Sequence, residues 1–172
     1  MVGYRRNKTG NPDDIFFLAI VCANRYPFFY DSDRLDIVLA AMRRIAQRFQ
    51  LEYNAWVILP DHLHLLLSPK EADYSTVVSS FKRTVTSSMR NRGFTGGKTT
   101  IWQDRFWEHT IRDDEDYERS VDYIHFNPVK HGLARTPIEW KYSSVHQFIK
   151  DGIYGRNWTE WSEIKINGAE YD

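Results

Sequence analysis

Two stretches with an apolar stripe of helical period, separated by a strand-turn-strand pattern, constrain the fold of this chain most. From Arg34 to Phe49, apolar Leu35, Val38, Met42, Ile45 and Phe49 recur at three- and four-residue steps, after the candidate caps Asp31, Ser32 and Asp33. From Tyr74 to Met89, Val77, Val78, Phe81, Val85 and Met89 repeat that spacing and end before Gly93. Between them, Glu52 to Leu59 and His62 to Leu67 read as strands, and Pro60-Asp61 has the turn chemistry that makes them a hairpin. Ahead of the first stripe, Ile15 to Cys22 is short, nearly all apolar and partly β-branched, which suits a central strand covered on both faces. Gly93 to Thr100, with three glycines, reads as a loop, and Ile101 to Ile111 as a further strand. The acidic run Asp113, Asp114, Glu115 and Asp116 favours a helix N-terminus, and that helix is expected to stop before Pro128.

The resulting order, β-α-β-β-α-β and then a helix, predicts an α+β fold. It is the split βαβ pattern of a ferredoxin-like sandwich, an antiparallel sheet with helices on one face and one added C-terminal helix. A length of 172 residues fits one domain. We expect a basic N-terminal arm over 1–12, a core over 13–133 and an extension over 134–172, where no strong period appears beyond Trp140.

Net charge offers no global pointer to a partner, because 23 Lys and Arg balance 23 Asp and Glu. A nucleic-acid surface would have to be local. Lys82, Arg83, Arg90, Arg92, Lys98 and Arg105 face a single acid, Asp104, across Lys82 to Phe106, and Arg5, Arg6 and Lys8 make the N-terminal arm basic. Trp102, Phe106 and Trp107 could stack on unpaired bases, but at strand spacing the first and second share a face opposite the third, so at least one side is core. Cys22 is the only cysteine, which rules out an internal disulfide and a multi-cysteine zinc site and fits a reducing compartment. No apolar run approaches the roughly 18 residues of a membrane span. A soluble, cytoplasmic protein is expected.

The chemistry-bearing residues are few. Alternate side chains of a strand share a face, so His62 and His64 project together while Leu63, Leu65 and Leu67 point away. Two imidazoles suit a metal but leave its coordination incomplete, and paired histidines in a strand are more often ordinary hydrogen-bonded residues. Tyr123 and Asn127, four apart, share a helical face and could supply the missing donor. On the helical wheel Tyr117, Val121 and Ile124 form the apolar stripe, which puts Tyr123 and Asn127 well to one side, so the tyrosine is not an obvious core residue. Asn127 could equally cap the helix before Pro128.

Taken together, Pro60-Asp61-His62-Leu63-His64-Leu65-Leu66-Leu67 and Tyr123-Ile124-His125-Phe126-Asn127-Pro128-Val129-Lys130-His131-Gly132-Leu133 resemble the single-tyrosine transposases of the HUH nuclease superfamily, closest to the REP-associated branch. Asn54-Ala55-Trp56-Val57, Ile101-Trp102-Gln103, Arg105-Phe106-Trp107-Glu108-His109 and Trp140-Lys141-Tyr142-Ser143-Ser144 extend the likeness over roughly residues 15–146. The resemblance implies that His62 and His64 hold a divalent ion, Mg2+ or Mn2+, and that Tyr123 is the nucleophile. Asn127 matches the position that can complete the metal site, where other single-tyrosine transposases often carry Gln. It further implies hairpin-forming palindromic DNA as partner, with adjoining single-stranded DNA cut and rejoined through a 5′-phosphotyrosine. The competing expectations are a non-cleaving DNA-binding regulator, a replication-initiator or relaxase-like nickase, and a metal hydrolase acting through water. The length, too short for an added helicase domain, and the Tyr-Ile-His-x-Asn-Pro-Val pattern favour the transposase. Monomer and homodimer both stay open.

Overall fold

The computed structural model describes residues 14–70, 73–94, 100–156 and 158. Chain order among them is β1 (Phe16–Val21), α1 (Ser32–Phe49), β2 (Glu52–Ile58), β3 (His62–Ser68), α2 (Tyr74–Asn91), β4 (Trp107–Thr110), α3 (Asp114–Lys130) and α4 (Val145–Lys150). The four strands form one sheet in the order β2-β3-β1-β4, every neighbouring pair antiparallel. This is the split βαβ arrangement expected from the sequence. Each long helix starts on an aspartate whose carboxylate accepts a backbone N–H three residues on: Asp31 from Arg34, Asp73 from Thr76 and Asp113 from Asp116. Such caps satisfy N–H groups that would otherwise be orphaned at the helix start.

The alternation of the strands sorts the core into two layers. Leu18, Ile20, Leu63, Leu65 and Leu67 face α1 and α2, meeting Val38, Met42, Ile45, Val77, Phe81 and Val85. Phe17, Ala55, Val57 and Leu66 face the other way and receive α3 through Val121, Tyr123 and Ile124. The added helix therefore builds a third layer. Across the outer edge of β2, Ile58 N–H donates to Tyr142 O (2.9 Å) and Ser144 N–H to Trp56 O (2.9 Å), so the segment after α3 returns to bind the sheet.

Three expectations are corrected. The strand expected over Ile101 to Ile111 is reduced to Trp107–Thr110, because Trp102 turns into the α2 side. There its indole N–H lies 3.2 Å from both Lys82 O and Thr86 Oγ1 and its ring packs on Phe29 and Phe81, leaving one isolated bridge to Cys22. A buried Trp102 is not available to stack on bases. Secondly, α3 does not stop before Pro128 but continues to Lys130. Proline's fixed φ is compatible with a helix, and what it removes is one N–H bond to the preceding turn. The turn is closed beyond it by His131 N–H to Asn127 O (3.0 Å) and Leu133 N–H to Pro128 O (2.8 Å). Thirdly, Tyr123, not an obvious core residue on the wheel, is buried in the core at 3% exposure. The stripe of Tyr117, Val121 and Ile124 understates the covered face of α3, because the Tyr123 ring also packs on the sheet against Phe17 and His64.

Candidate active site

The site lies where the first residues of β3 meet the C-terminal half of α3. His62 and His64 are at register positions opposite Val21 and Ala19 of β1, and His64 is also opposite Val57 of β2. Both are buried, with ring centroids 5.0 Å apart. Asp61 sets the orientation of the first. Its carboxylate is 2.6 Å from His62 Nδ1, and since a carboxylate only accepts, Nδ1 carries a proton and Nε2 is the nitrogen left to face a metal. Burial pushes the Asp61 carboxyl up, but the hydrogen bond and charge of His62 together with Arg25 at 3.4 Å outweigh it and hold the group below its usual range.

Opposite the imidazoles, α3 presents Tyr123, Asn127 and His131 at successive four-residue steps along one face. The Tyr123 ring sits 5.5 Å from His64 and 5.9 Å from Phe17, and the His131 ring 5.0 Å from His62, all between ring centroids. Asn127 lies between these two contacts, one turn from each. It is fully buried, and among the described residues neither its Oδ1 nor its Nδ2 has a hydrogen-bond partner. A buried amide in that state costs about 1–3 kcal/mol unless something else binds it. A divalent ion held by an amide oxygen and two neutral imidazoles would supply that partner, so the residues present fit a metal. The described residues contain no group of three or more His, Cys, Asp or Glu able to hold an ion, so any ion here would keep open positions for outside ligands.

Residues 16–127 match the family model described as "Transposase IS200 like". The chain belongs to this transposase family. A Haemophilus influenzae protein assigned to the REP-associated tyrosine transposases is 36% identical over 177 aligned positions, covering 98% of this chain and 99% of the relative. An Escherichia coli K12 REP-associated tyrosine transposase is 37% identical over 120 positions, 69% of this chain and 68% of its own. Among solved structures, a REP-associated tyrosine transposase bound to a REP hairpin superimposes with a TM-score of 0.82 at 30% identity, covering 98% of this chain and 96% of that one. The transposase therefore falls in the REP-associated tyrosine branch, as its motifs suggested.

The sequence-predicted basic residues do not gather at the imidazoles. Lys82, Arg83 and Arg90 line a shallow groove of about 440 Å³ with Thr86 and Trp102, on the α2 side of the sheet and so on the face opposite the site. The groove and the site nevertheless share one end of the sheet, since Cys22 bridges Trp102 and donates its N–H to Asp61 O (2.7 Å). Lys82 is half-buried, donates to Gln103 O (2.6 Å), and has its pKa lowered by burial. Arg83 and Arg90 are exposed, as are Arg92 after α2 and Arg105 before β4. Arg5, Arg6, Lys8 and Lys98 lie outside the described residues. Among the described residues, no helix of the transposase is long and apolar enough to cross a membrane.

Two features of the site were not anticipated. Lys130 donates from Nζ to Tyr123 Oη at 2.9 Å. A second network holds the back of α3: Ser144 Oγ is 2.7 Å from His125 Nε2, His125 Nδ1 is 3.2 Å from Tyr154 Oη, and Tyr154 donates to Asp122 Oδ1 at 2.6 Å. Burial pushes the His125 pKa down to about 3, so the ring is neutral, and burial together with the Asp122 carboxylate pushes the Tyr154 phenol up. With the tyrosine proton committed to Asp122, His125 must donate from Nδ1 and accept at Nε2 from Ser144. The sequence signal for this network was the Tyr142-Ser143-Ser144 stretch, whose chemistry becomes visible only once it is brought beside α3.

Proposed function

We propose that this transposase recognises a DNA hairpin and cuts and rejoins the adjoining single strand with Tyr123 as nucleophile. The scissile phosphate would be held at His62, His64 and Asn127 with Mg2+ or Mn2+. The observation that carries the reading is the packing of the Tyr123 ring on His64 within one chain, which brings the phenol ring against a buried pair of histidines.

A bound divalent cation would draw charge from a non-bridging phosphate oxygen and fix the phosphate for in-line displacement. The remaining work falls to side chains. Tyr123 Oη forms a bond to phosphorus as the bond to O3′ breaks, giving a 5′-phosphotyrosine and a free 3′-hydroxyl. Joining is the same step reversed with another 3′ end, so bond energy is retained without ATP. Asp61 would keep the His62 ring in one orientation, and Phe17, which meets the Tyr123 ring edge-on and the His64 ring at a tilt, would help hold both rings in place. The hairpin partner is supported by the related structure that holds one. The exposed Arg83 and Arg90 on the α2 side offer phosphate contacts at the same end of the sheet.

The test is a denaturing-gel assay with hairpin oligonucleotides carrying single-stranded flanks, labelled on either side of the cut. Wild type should form a covalent protein-DNA adduct only with Mg2+ or Mn2+, and Tyr123→Phe should bind the hairpin without forming one. An adduct of undiminished yield in Tyr123→Phe discards the nucleophile. Adding a labelled acceptor strand separates joining from simple nicking, and a cut product without protein-linked phosphate would favour water as nucleophile.

A further inference from the structure

We propose that Lys130 is a catalytic residue of this reaction, an ammonium that stabilises the negative charge on the Tyr123 oxygen in both cutting and joining. The inference rests on the reading of Tyr123 as the nucleophile. Lys130 follows Tyr123 by seven residues, so at about 100° per residue the two fall on one face of α3, two turns apart. They meet only because the helix runs through Pro128 instead of ending ahead of it. Lys130 Nζ is then 2.9 Å from Tyr123 Oη and 4.8 Å from the ring centre, so the lysine head lies at the reacting atom with its stem along the ring.

The charge accounting gives this contact a role. In cutting, the Oη–P bond forms, the P–O3′ bond breaks with its electron pair left on O3′, and the phenolic proton passes through solvent to that oxygen. Joining reverses each change and expels the phenolate as leaving group. Lys130 gains and loses no proton in either direction. The phenolate is released from a ring that is 3% exposed, where bulk water solvates it poorly, while the lysine, itself exposed, has its head group at the oxygen. Among the described residues, Arg83 and Arg90 of the α2 groove are on the opposite face of the sheet, whereas Lys130 Nζ is within hydrogen-bond reach of the Tyr123 oxygen, where it would act beside any ion held by the histidines.

The experiment compares Lys130→Met, Lys130→Arg and Lys130→Cys with wild type in single-turnover cutting and joining at saturating hairpin DNA with Mn2+, alongside hairpin Kd and thermal midpoint. Loss of one preorganised charge-stabilising donor predicts both first-order rates down about 10²- to 10³-fold in Lys130→Met. Its Kd should move by no more than about threefold, since one phosphate contact at most is removed. Lys130→Arg, which keeps the charge, should retain most of the joining rate. Lys130→Cys should be as slow as Met until treatment with 2-bromoethylamine rebuilds an ammonium of nearly the same reach. Cys22, the only native cysteine, is fully buried and does not compete. Rates within about threefold of wild type in Lys130→Met, or a loss confined to Kd, overturn the role. So does a Lys130→Cys variant that aminoethylation leaves slow. If wild type forms no adduct, the reading of Tyr123 fails; if it does and Lys130→Met matches it, only the lysine's role fails.

Discussion

Replacing Tyr154 with phenylalanine removes one oxygen from the network behind α3 and leaves its packing in place. The ring stacks on Trp158 at 4.1 Å and on Phe148 at 5.4 Å, contacts that phenylalanine can keep. Two polar groups lose their partner. Asp122, whose carboxyl is already pushed above its usual range by burial and is held down only by this hydroxyl, forfeits a bond of 2.6 Å. His125 Nδ1–H is left without an acceptor inside a fully buried ring. A hydrogen bond to a charged group contributes about 1.5–3 kcal/mol and a stranded buried donor costs about 1–3 kcal/mol. Because the contributions share one hydroxyl they do not add in full, and a loss of about 3 kcal/mol is expected. For a chain of this size that corresponds to a thermal midpoint lower by roughly 6–12 °C. Urea denaturation of wild type, Tyr154→Phe, Asp122→Asn and the double variant measures it. A loss below about 0.5 kcal/mol, or single-variant losses that add within about 0.5 kcal/mol in the double, would refute the coupling.

Asn127→Leu should be at least as stable as wild type in metal-free buffer, by up to about 1–3 kcal/mol, because it removes two buried polar atoms without partners. It should also lose any stabilisation that Mn2+ gives wild type in a thermal-shift titration, and marked metal-free destabilisation would contradict this account. Asp116 gives the pH dependence. Burial pushes its carboxyl up, but bonds from Arg112 and His109 more than offset that, leaving the folded pKa depressed. Its stabilisation is therefore complete above the unfolded value of about 3.9 and fades as pH falls through the lower folded value. Urea midpoints from pH 7 to pH 2 should show Asp116→Asn weaker at neutrality with a shallower acid limb. Arg83→Gln with Arg90→Gln should weaken hairpin binding and reduce the salt slope by about 0.9 per lost phosphate contact, read by fluorescence anisotropy, with a smaller effect on the first-order cutting rate at saturation.

Where burial is set by a single periodic face, the sequence was informative. The stripes of α1 and α2 and the alternation of Leu63, Leu65 and Leu67 against His62 and His64 reappear as the inner core and its opposite face. Legibility ended where burial depends on partners distant in sequence. Tyr123 falls off the apolar stripe of α3 on the wheel, yet it is buried because its ring packs against Phe17 and His64 of the sheet, on strands distant from it in sequence. The Ile101 to Ile111 pattern reads as one strand, but Trp102 finds its hydrogen bonds on α2 and leaves the ladder. Local rules penalise Pro128 and so predict a stop there, whereas tertiary packing holds the helix together and thereby brings Lys130 to Tyr123. The histidine pair and the tyrosine could be picked out as motifs; their meeting could not, since β3 and α3 are some fifty residues apart.

The way the sheet ends on either side bears on how copies of this molecule can associate. At one border the backbone of β2 already trades bonds with Tyr142 and Ser144, and at the other β4 is a mere four residues long. Neither margin offers a long row of vacant amides to a second molecule, so strand-to-strand growth into ribbons or fibrils is disfavoured. Among the described residues, self-association is therefore not built into the margins of the sheet that carries the histidines.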